Sequence, residues 1–146
     1  GNISECKAFY GLTSHAHGVD ADILDAEDVY ESAKWLGELS RSTGCIVVCS
    51  GKTDIITNSN KTVCIRNGRA MMGRLTGTGC MLNVAIATFL ACEDAFDACV
   101  DATCYYEVAA EKTKADGPGT FHMYFMDEVY QLTEEDRRLF QIEVIR

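Results

Sequence analysis

Apolar positions along this chain recur first at helical spacing and then in short continuous runs. Val29, Ala33, Leu36 and Leu39 fall near one face of a helix expected over 26–42, with Asp25 as its cap and Gly44 as its end. Ahead of it, residues 4–10 predict a short helix capped by Asn2 or Ser4. Residues 11–24 read as polar loop, with a turn at Gly18-Val19-Asp20. Cys45-Ile46-Val47-Val48-Cys49 is an unbroken, β-branched run bounded by turn residues, the pattern of a buried parallel strand. Ile55-Ile56-Thr57, Thr62-Val63-Cys64-Ile65 and Ala70-Met71-Met72 predict further short strands. Asn58-Ser59-Asn60 and Asn67-Gly68 separate them, the second a strong hairpin signal. Helical patterns follow over about 80–92, 94–114 and 120–132. In the middle one Phe96, Cys99, Val100, Thr103 and Val108 recur at helical spacing. Asp116-Gly117-Pro118-Gly119 breaks the chain before the last helix, and Leu139 to Ile145 alternates like an edge strand.

Helices alternating with buried strands predict an α/β fold: one domain over residues 1–146, with a mainly parallel sheet flanked by helices. The stretch richest in chemistry is Leu75-Thr76-Gly77-Thr78-Gly79-Cys80, which leads directly into an apolar helix. A glycine turn at a helix N-terminus offers unpaired amides and the positive end of the helix dipole to an anion, phosphate above all. Cys80 sits in that first turn, where the same field favours an anionic sulfur. The amides of Gly77, Thr78, Gly79 and Cys80 are thus candidates to cradle a transferring phosphoryl group.

Three other segments share that potential. Asn2 and Glu5 stand one helical turn apart, so Glu5 is a candidate magnesium ligand, although the same spacing suits a capping pair. Ser50-Gly51-Lys52-Thr53-Asp54 follows the predicted buried strand, at the sheet end where open α/β folds bind ligands. Ser50 would hydrogen-bond a phosphate there, while an ordinary strand-end turn is the plainer reading. Gly117-Pro118-Gly119-Thr120 would either shape a nucleotide pocket or simply mark a helix boundary.

The formal net charge of −9 argues against nucleic acid or an anionic membrane as partner, so an anionic ligand must be held locally and with metal ions. No apolar run approaches the roughly 20 residues of a membrane-spanning helix. The 8 cysteines lack paired Cys-x-x-Cys motifs. Cys45, Cys49, Cys64, Cys92, Cys99 and Cys104 lie in apolar segments, so they are expected to be buried free thiols in a reducing cytoplasm. His15 and His17 are expected to face solvent, and His122 to be packed. Glu93, Asp94, Asp97 and Asp101 are expected to form a solvated acidic face.

Taken together, Gly1-Asn2-Ile3-Ser4-Glu5, Ser50-Gly51-Lys52-Thr53-Asp54, Asn67-Gly68-Arg69-Ala70-Met71-Met72, Thr76-Gly77-Thr78-Gly79-Cys80-Met81-Leu82 and Gly117-Pro118-Gly119-Thr120-Phe121 resemble the hydroxyethylthiazole kinase family. The match runs to about Leu132, and the Thr-Gly-x-Gly-Cys and Asn-Gly-x-x-Met-Met elements are its specific parts. The resemblance implies a ribokinase-like fold, a homotrimer, and transfer of the ATP γ-phosphate to the alcohol of 4-methyl-5-(2-hydroxyethyl)thiazole with magnesium (Mg2+). It also implies site roles: Ser50, Thr76 and Asn2 toward ATP, Gly77 toward the thiazole, Thr78 and Gly79 as anion cradle, and Glu5 toward the metal. Cys80 occupies the position of the aspartate base of related sugar kinases.

Departures from the family pattern qualify these roles. Ser50 replaces a threonine but keeps its hydroxyl, and Asn58-Ser59 stands where the family has Asp-Gly. The family's ATP-contacting arginine would precede Gly1, and the N-terminal half of the usual chain is not in this sequence. The expectation is therefore the C-terminal portion of such a kinase. The alternatives are a non-catalytic piece that assembles with the missing half, a hydroxymethylpyrimidine-type kinase, and a redox-responsive protein.

Overall fold

Asn2 opens the first helix with a reciprocal cap. Its Oδ1 accepts from the Glu5 amide at 2.9 Å, and Glu5 Oε2 accepts from the Asn2 amide at 2.7 Å. A computed structural model describes residues 1–12 and 28–145. Its elements are α1 (Ile3–Tyr10), α2 (Val29–Thr43), β1 (Val47–Cys49), β2 (Asp54–Thr57), β3 (Thr62–Ile65), α3 (Thr78–Phe89), α4 (Ala95–Lys112), α5 (Pro118–Tyr130) and β4 (Ile142–Ile145). Short 3₁₀ turns span Met72–Arg74 and Glu134–Leu139. Asp25, His15, His17 and the Gly18–Asp20 turn lie outside the described residues.

The described residues group into two compact units, Gly1–Cys64 with Glu143–Arg146, and Ile65–Ile142. In the first, α2 starts at Asp28, whose carboxylate accepts from the Tyr30 amide at 2.9 Å. It ends at Gly44 in the left-handed conformation, φ 67°. Ala33, Leu36 and Leu39 of α2 join Cys6 of α1 and Cys49, Ile55 and Cys64 of the strands in one apolar core. The predicted face of α2 is therefore the buried face.

The sheet order is β1-β2-β3-β4. Its direction corrects the expectation of a mainly parallel sheet. β1 pairs antiparallel with β2, Val47 opposite Thr57 and Cys49 opposite Ile55. The cause is connection length: a short turn joins β1 to β2 and another joins β2 to β3, and parallel neighbours need a long crossover. Parallel pairing occurs at the far side of β1, where Asn2 forms a parallel bridge with Ser50. The strand is also shorter than the run 45–49, because Cys45 is exposed at the end of the turn that closes α2.

In the second unit α4 is the buried axis, with Ala102, Thr103, Cys104, Val108 and Ala109 all at most 1% exposed. It packs against α3 and α5. Ala70-Met71-Met72 forms no strand; Met72 begins a 3₁₀ turn. Asn67-Gly68 makes no hairpin either. Asn67 Nδ2 donates to Glu111 Oε2 and to the Leu139 carbonyl, each at 3.0 Å, and its Oδ1 accepts from the Gln141 amide at 2.7 Å. The Gly68 amide donates to Glu111 Oε1 at 2.9 Å. At φ 120°, with the Glu107 carboxylate where a Cβ would stand, this position requires glycine.

Some surface expectations also change. Cys92 is exposed like Cys45, while Cys49, Cys64, Cys99 and Cys104 are buried. His122 is exposed on α5 rather than packed, since Phe121 and Phe125 take the buried face. Asp101 leaves the solvated acidic face: it is 8% exposed and pairs with Arg137.

The β2–β3 turn carries a removable strain. Ser59 has φ 70°, a left-handed conformation that costs an L-residue with a Cβ about 1–2 kcal/mol. Its amide bond to Thr57 Oγ1, at 3.2 Å, does not need the Ser59 side chain. Ser59→Gly is expected to raise stability by about 0.5–1 kcal/mol, because glycine's larger unfolded-state entropy offsets part of the relief. A urea midpoint that falls on substitution would contradict this.

Candidate functional site

In the first unit the chain brings Asn2, Glu5 and Ser50 together. Gly1 N donates to the Val48 carbonyl and the Ser50 amide donates to the Gly1 carbonyl, both at 2.9 Å. Asn2 thereby lies beside Ser50 at the end of β1. Glu5, one turn along α1, is exposed and completes the cap. The capping reading of this pair is thus realised. It engages Glu5 Oε2 and leaves the second carboxylate oxygen outside the cap. Among the described residues no group of three or more His, Cys, Asp or Glu is placed to hold a metal ion. A magnesium ion bound through one carboxylate, water and substrate phosphates is compatible with that donor set.

The loop after Ser50 is ordered by a residue to which sequence reasoning gave no role of its own. The Gly51 amide donates to Asp54 Oδ1 at 2.9 Å, and Asp54 is 1% exposed at the start of β2. Burial pushes its carboxyl up to about 7, and the Gly51 amide bond opposes this only partly. The signal was present as Ser-Gly-x-x-Asp, but burial depends on strands that sequence cannot place. Beneath the same strand end Cys6 and Cys49 share the apolar core, where interaction with Cys49 draws the Cys6 thiol down to about 7, and Cys6 together with burial pushes the Cys49 thiol up.

In the second unit Thr76, Gly77, Thr78, Gly79 and Cys80 form one local turn. Gly77 has φ 99° and stands as the N-cap of α3, and no side chain caps this helix end. The first amides of α3, those of Thr78, Gly79 and Cys80, have no carbonyl of the helix to bond. They therefore point outward with the dipole behind them, as an anion cradle requires. Thr76, Gly79 and Cys80 are exposed, while Gly77 and Thr78 are half-buried. The Met81 amide closes the turn on the Gly77 carbonyl at 2.9 Å.

Thr78 is the turn's anchor. Its hydroxyl donates to the carbonyls of Met72 and Leu75, at 3.3 and 3.4 Å. Its own carbonyl accepts from the Tyr106 hydroxyl of α4 at 2.9 Å. Tyr106 is buried and edge-on to Phe125 at 4.8 Å, and Phe125 stacks on Phe121 at 5.8 Å. Burial raises the Tyr106 phenol well above its ordinary range, so it stays a donor. Sequence reasoning missed this role, since a tyrosine inside a helical pattern carries no sign of what its hydroxyl meets.

The remaining motif residues brace structure. Arg69 donates to the Thr113 carbonyl and lies 5.4 Å from the Phe121 ring centroid. Gly117-Pro118-Gly119-Thr120 is a helix boundary, with Gly117 as N-cap of α5 and Thr120 Oγ1 donating to the Gly117 carbonyl at 3.1 Å. No helix of the described residues is long and apolar enough to cross a membrane.

Comparison with known proteins bears on these features as a set. The profile of the hydroxyethylthiazole kinase family matches residues 1–135. The hydroxyethylthiazole kinase of Thermoanaerobacter pseudethanolicus is 39% identical, covering 92% of this chain and 52% of that protein. Its counterpart from Methanosarcina acetivorans is 36% identical, over 92% of this chain and 51% of its own length. The solved structure of a hydroxyethylthiazole kinase protein from Pyrococcus horikoshii OT3 superposes with a TM-score of 0.77 at 28% identity. It covers 80% of this chain and 47% of that one. The chain spans about half the length of the curated relatives it matches.

The buried Asp54 carboxyl has a measurable consequence. The unfolded chain gives up this proton near pH 4, and the native chain holds it to about 7. Protons are thus bound more tightly in the native state, so Asp54 makes stability fall as pH rises between those values. Asp54→Asn keeps an acceptor for the Gly51 amide and removes the buried charge. It is expected to match the parent near pH 4 and to exceed it by about 2–4 kcal/mol at pH 8, read from urea midpoints. Equal differences at both pH values would show that Asp54 is not the titrating group.

Proposed function

This chain belongs to the hydroxyethylthiazole kinase family, and we propose that it supplies the C-terminal portion of an enzyme phosphorylating 4-methyl-5-(2-hydroxyethyl)thiazole from ATP. The fold is the α/β, ribokinase-like one of that family, with its sheet antiparallel in this part. The observation that carries the reading is the uncapped glycine turn at the start of α3, held by the buried Tyr106, in a chain whose profile match includes it.

The proposed roles follow the chemistry at each position. Phosphoryl transfer passes through a loose transition state, so amides fixed toward developing negative charge contribute more than a strong base. Thr78 and Gly79 present such amides, and Gly77, lacking a side chain, lets the thiazole approach the backbone. Ser50 and Thr76 offer hydroxyls to the nucleotide phosphates, and Asn2 orders the Ser50 strand end. Glu5 is the residue that would hold magnesium, which when bound neutralises phosphate charge. Cys80 stands in the first turn of α3 as a neighbour of the alcohol. An anionic sulfur there would repel the γ-phosphate, so its proposed part is to position the hydroxyl rather than to act as an obligatory base. A homotrimer belongs to the same proposal, as do ATP and magnesium as the nucleotide partners.

The test is magnesium-dependent release of ADP by the protein carrying this chain. The thiazole alcohol and hydroxymethylpyrimidine are offered in parallel, and turnover is expected with the thiazole alone. Ser50→Ala is expected to raise KM for ATP about tenfold, the loss of one hydrogen bond to a charged group, with kcat little changed. Cys80→Ser is expected to lower kcat by less than about tenfold, since its hydroxyl keeps a polar group in place. A collapse of several orders of magnitude would instead make Cys80 the base.

A further inference from the structure

The Tyr106 hydroxyl donates to the Thr78 carbonyl at 2.9 Å. That carbonyl and the Gly79 amide belong to one planar peptide unit and point in opposite directions from its C–N bond. A hydrogen bond to the oxygen favours the resonance form in which the C–N bond is double. Electron density is then drawn from the nitrogen, and the Gly79 N–H becomes a stronger donor, as hydrogen bonds in a chain polarise one another.

Both ends of this relay have the surroundings it needs. Tyr106 is 4% exposed and its ring meets Phe125 edge-on, so the hydroxyl is held in place and little water competes for it. Thr78 is also tied from its other side, by its own hydroxyl to the Met72 and Leu75 carbonyls. Gly79 is exposed. Among the described residues, no atom outside its chain neighbours and its own helix's backbone lies within 4 Å of where a Cβ would stand, and its φ is not left-handed. Neither crowding nor strain therefore calls for glycine, which weakens a helix relative to alanine. What the missing side chain leaves is open access to the polarised amide.

We propose that Tyr106 is a positioning residue for phosphoryl transfer, whose hydroxyl sets the aim and donor strength of the Gly79 amide through the Thr78 carbonyl. The inference rests on the kinase reading for its ligand, and on the hydrogen-bond geometry alone for the relay. Charge on the transferring group grows toward the transition state, so a stronger amide donor acts on kcat rather than on KM.

The experiment compares the parent with Tyr106→Phe, which keeps the ring against Phe125 and removes only the donor. Thr103→Val is the control, since it removes a buried hydroxyl of the same helix whose bond runs to the Cys99 carbonyl at 2.8 Å. In magnesium-dependent ADP release with the thiazole alcohol, Tyr106→Phe is expected to lower kcat about three- to tenfold with KM for ATP unchanged, and Thr103→Val to change neither. In nitrogen–proton correlation spectra without ligand, the Gly79 nitrogen is expected to move to lower chemical shift in Tyr106→Phe and to stay in place in Thr103→Val. Titration with inorganic phosphate is expected to move the Gly79 amide of the parent and to require about threefold more phosphate in Tyr106→Phe. A fluorinated tyrosine in place of Tyr106, whose more acidic hydroxyl is a stronger donor, is expected to move the Gly79 nitrogen the opposite way. It decides the matter if Tyr106→Phe does not fold. A Gly79 nitrogen that ignores these changes overturns the proposal, as does a kcat equal to the parent's or an equal loss in both variants. A parent that does not turn over the thiazole alcohol overturns the kinase reading instead, and the Gly79 nitrogen still decides the relay.

Discussion

The backbone pairing of Gly1 and Asn2 with Val48 and Ser50 is the constraint on which the first unit's chemistry depends. Two bonds of 2.9 Å fix the chain just ahead of α1 against the end of β1. Asn2 then begins a helix at once, so its side chain is committed to the cap and Glu5 is fixed one turn along. Ser50 is the last residue that the pairing reaches, and the loop beyond it turns back onto the Asp54 carboxylate. A helix cap, a strand end and the loop after Ser50 are thus set by one short parallel contact.

The second unit solves a different problem, which is holding an open helix end rigid without filling it. A side-chain cap would satisfy the first amides of α3 and so remove the proposed anion cradle. The structure stabilises the turn from behind instead. Thr78 bonds back to the Met72 and Leu75 carbonyls, and Tyr106 reaches the Thr78 carbonyl from the buried axis α4. The aromatic ladder Tyr106–Phe125–Phe121 extends that support to α5, where Arg69 lies over the last ring. The Asn-Gly-Arg element belongs to this bracing, which gives its specific sequence a mechanical rather than a chemical cause.

What was legible in the sequence divides along the range of the interactions involved. The face of α2, the Gly44 stop, the Asn2–Glu5 cap and the glycine turn before α3 are local patterns, and they stand as read. Asn67-Gly68 was misread because Glu111, 44 residues from Asn67, supplies a carboxylate that no local turn rule includes. Asp101 was misread because Arg137, 36 residues away, pairs with it. The parallel sheet was misread because its parallel contact involves two residues at the chain's start, while the short turns on either side of β2 impose antiparallel neighbours. Tyr106 carried no readable role and Asp54 only its place in the Ser-Gly-x-x-Asp pattern, since both act by being buried against groups elsewhere in the fold.

The acidity of the chain gives these details their direction. With a formal charge of −9, this chain carries a field unfavourable to anions, and screening limits the reach of that field to about 10 Å at 0.1 M salt. The proposed nucleotide would have to be attracted by groups within that distance of its phosphates. Amides at an uncapped helix start carry no compensating counter-charge, so they can offer positive potential without adding a lysine whose own desolvation would cost stability. The proposed magnesium role of Glu5 does not conflict with its cap, which uses one carboxylate oxygen and leaves the other outside it. In a chain of this charge the proposed anion site is thus one of backbone geometry, held from behind by the buried Tyr106.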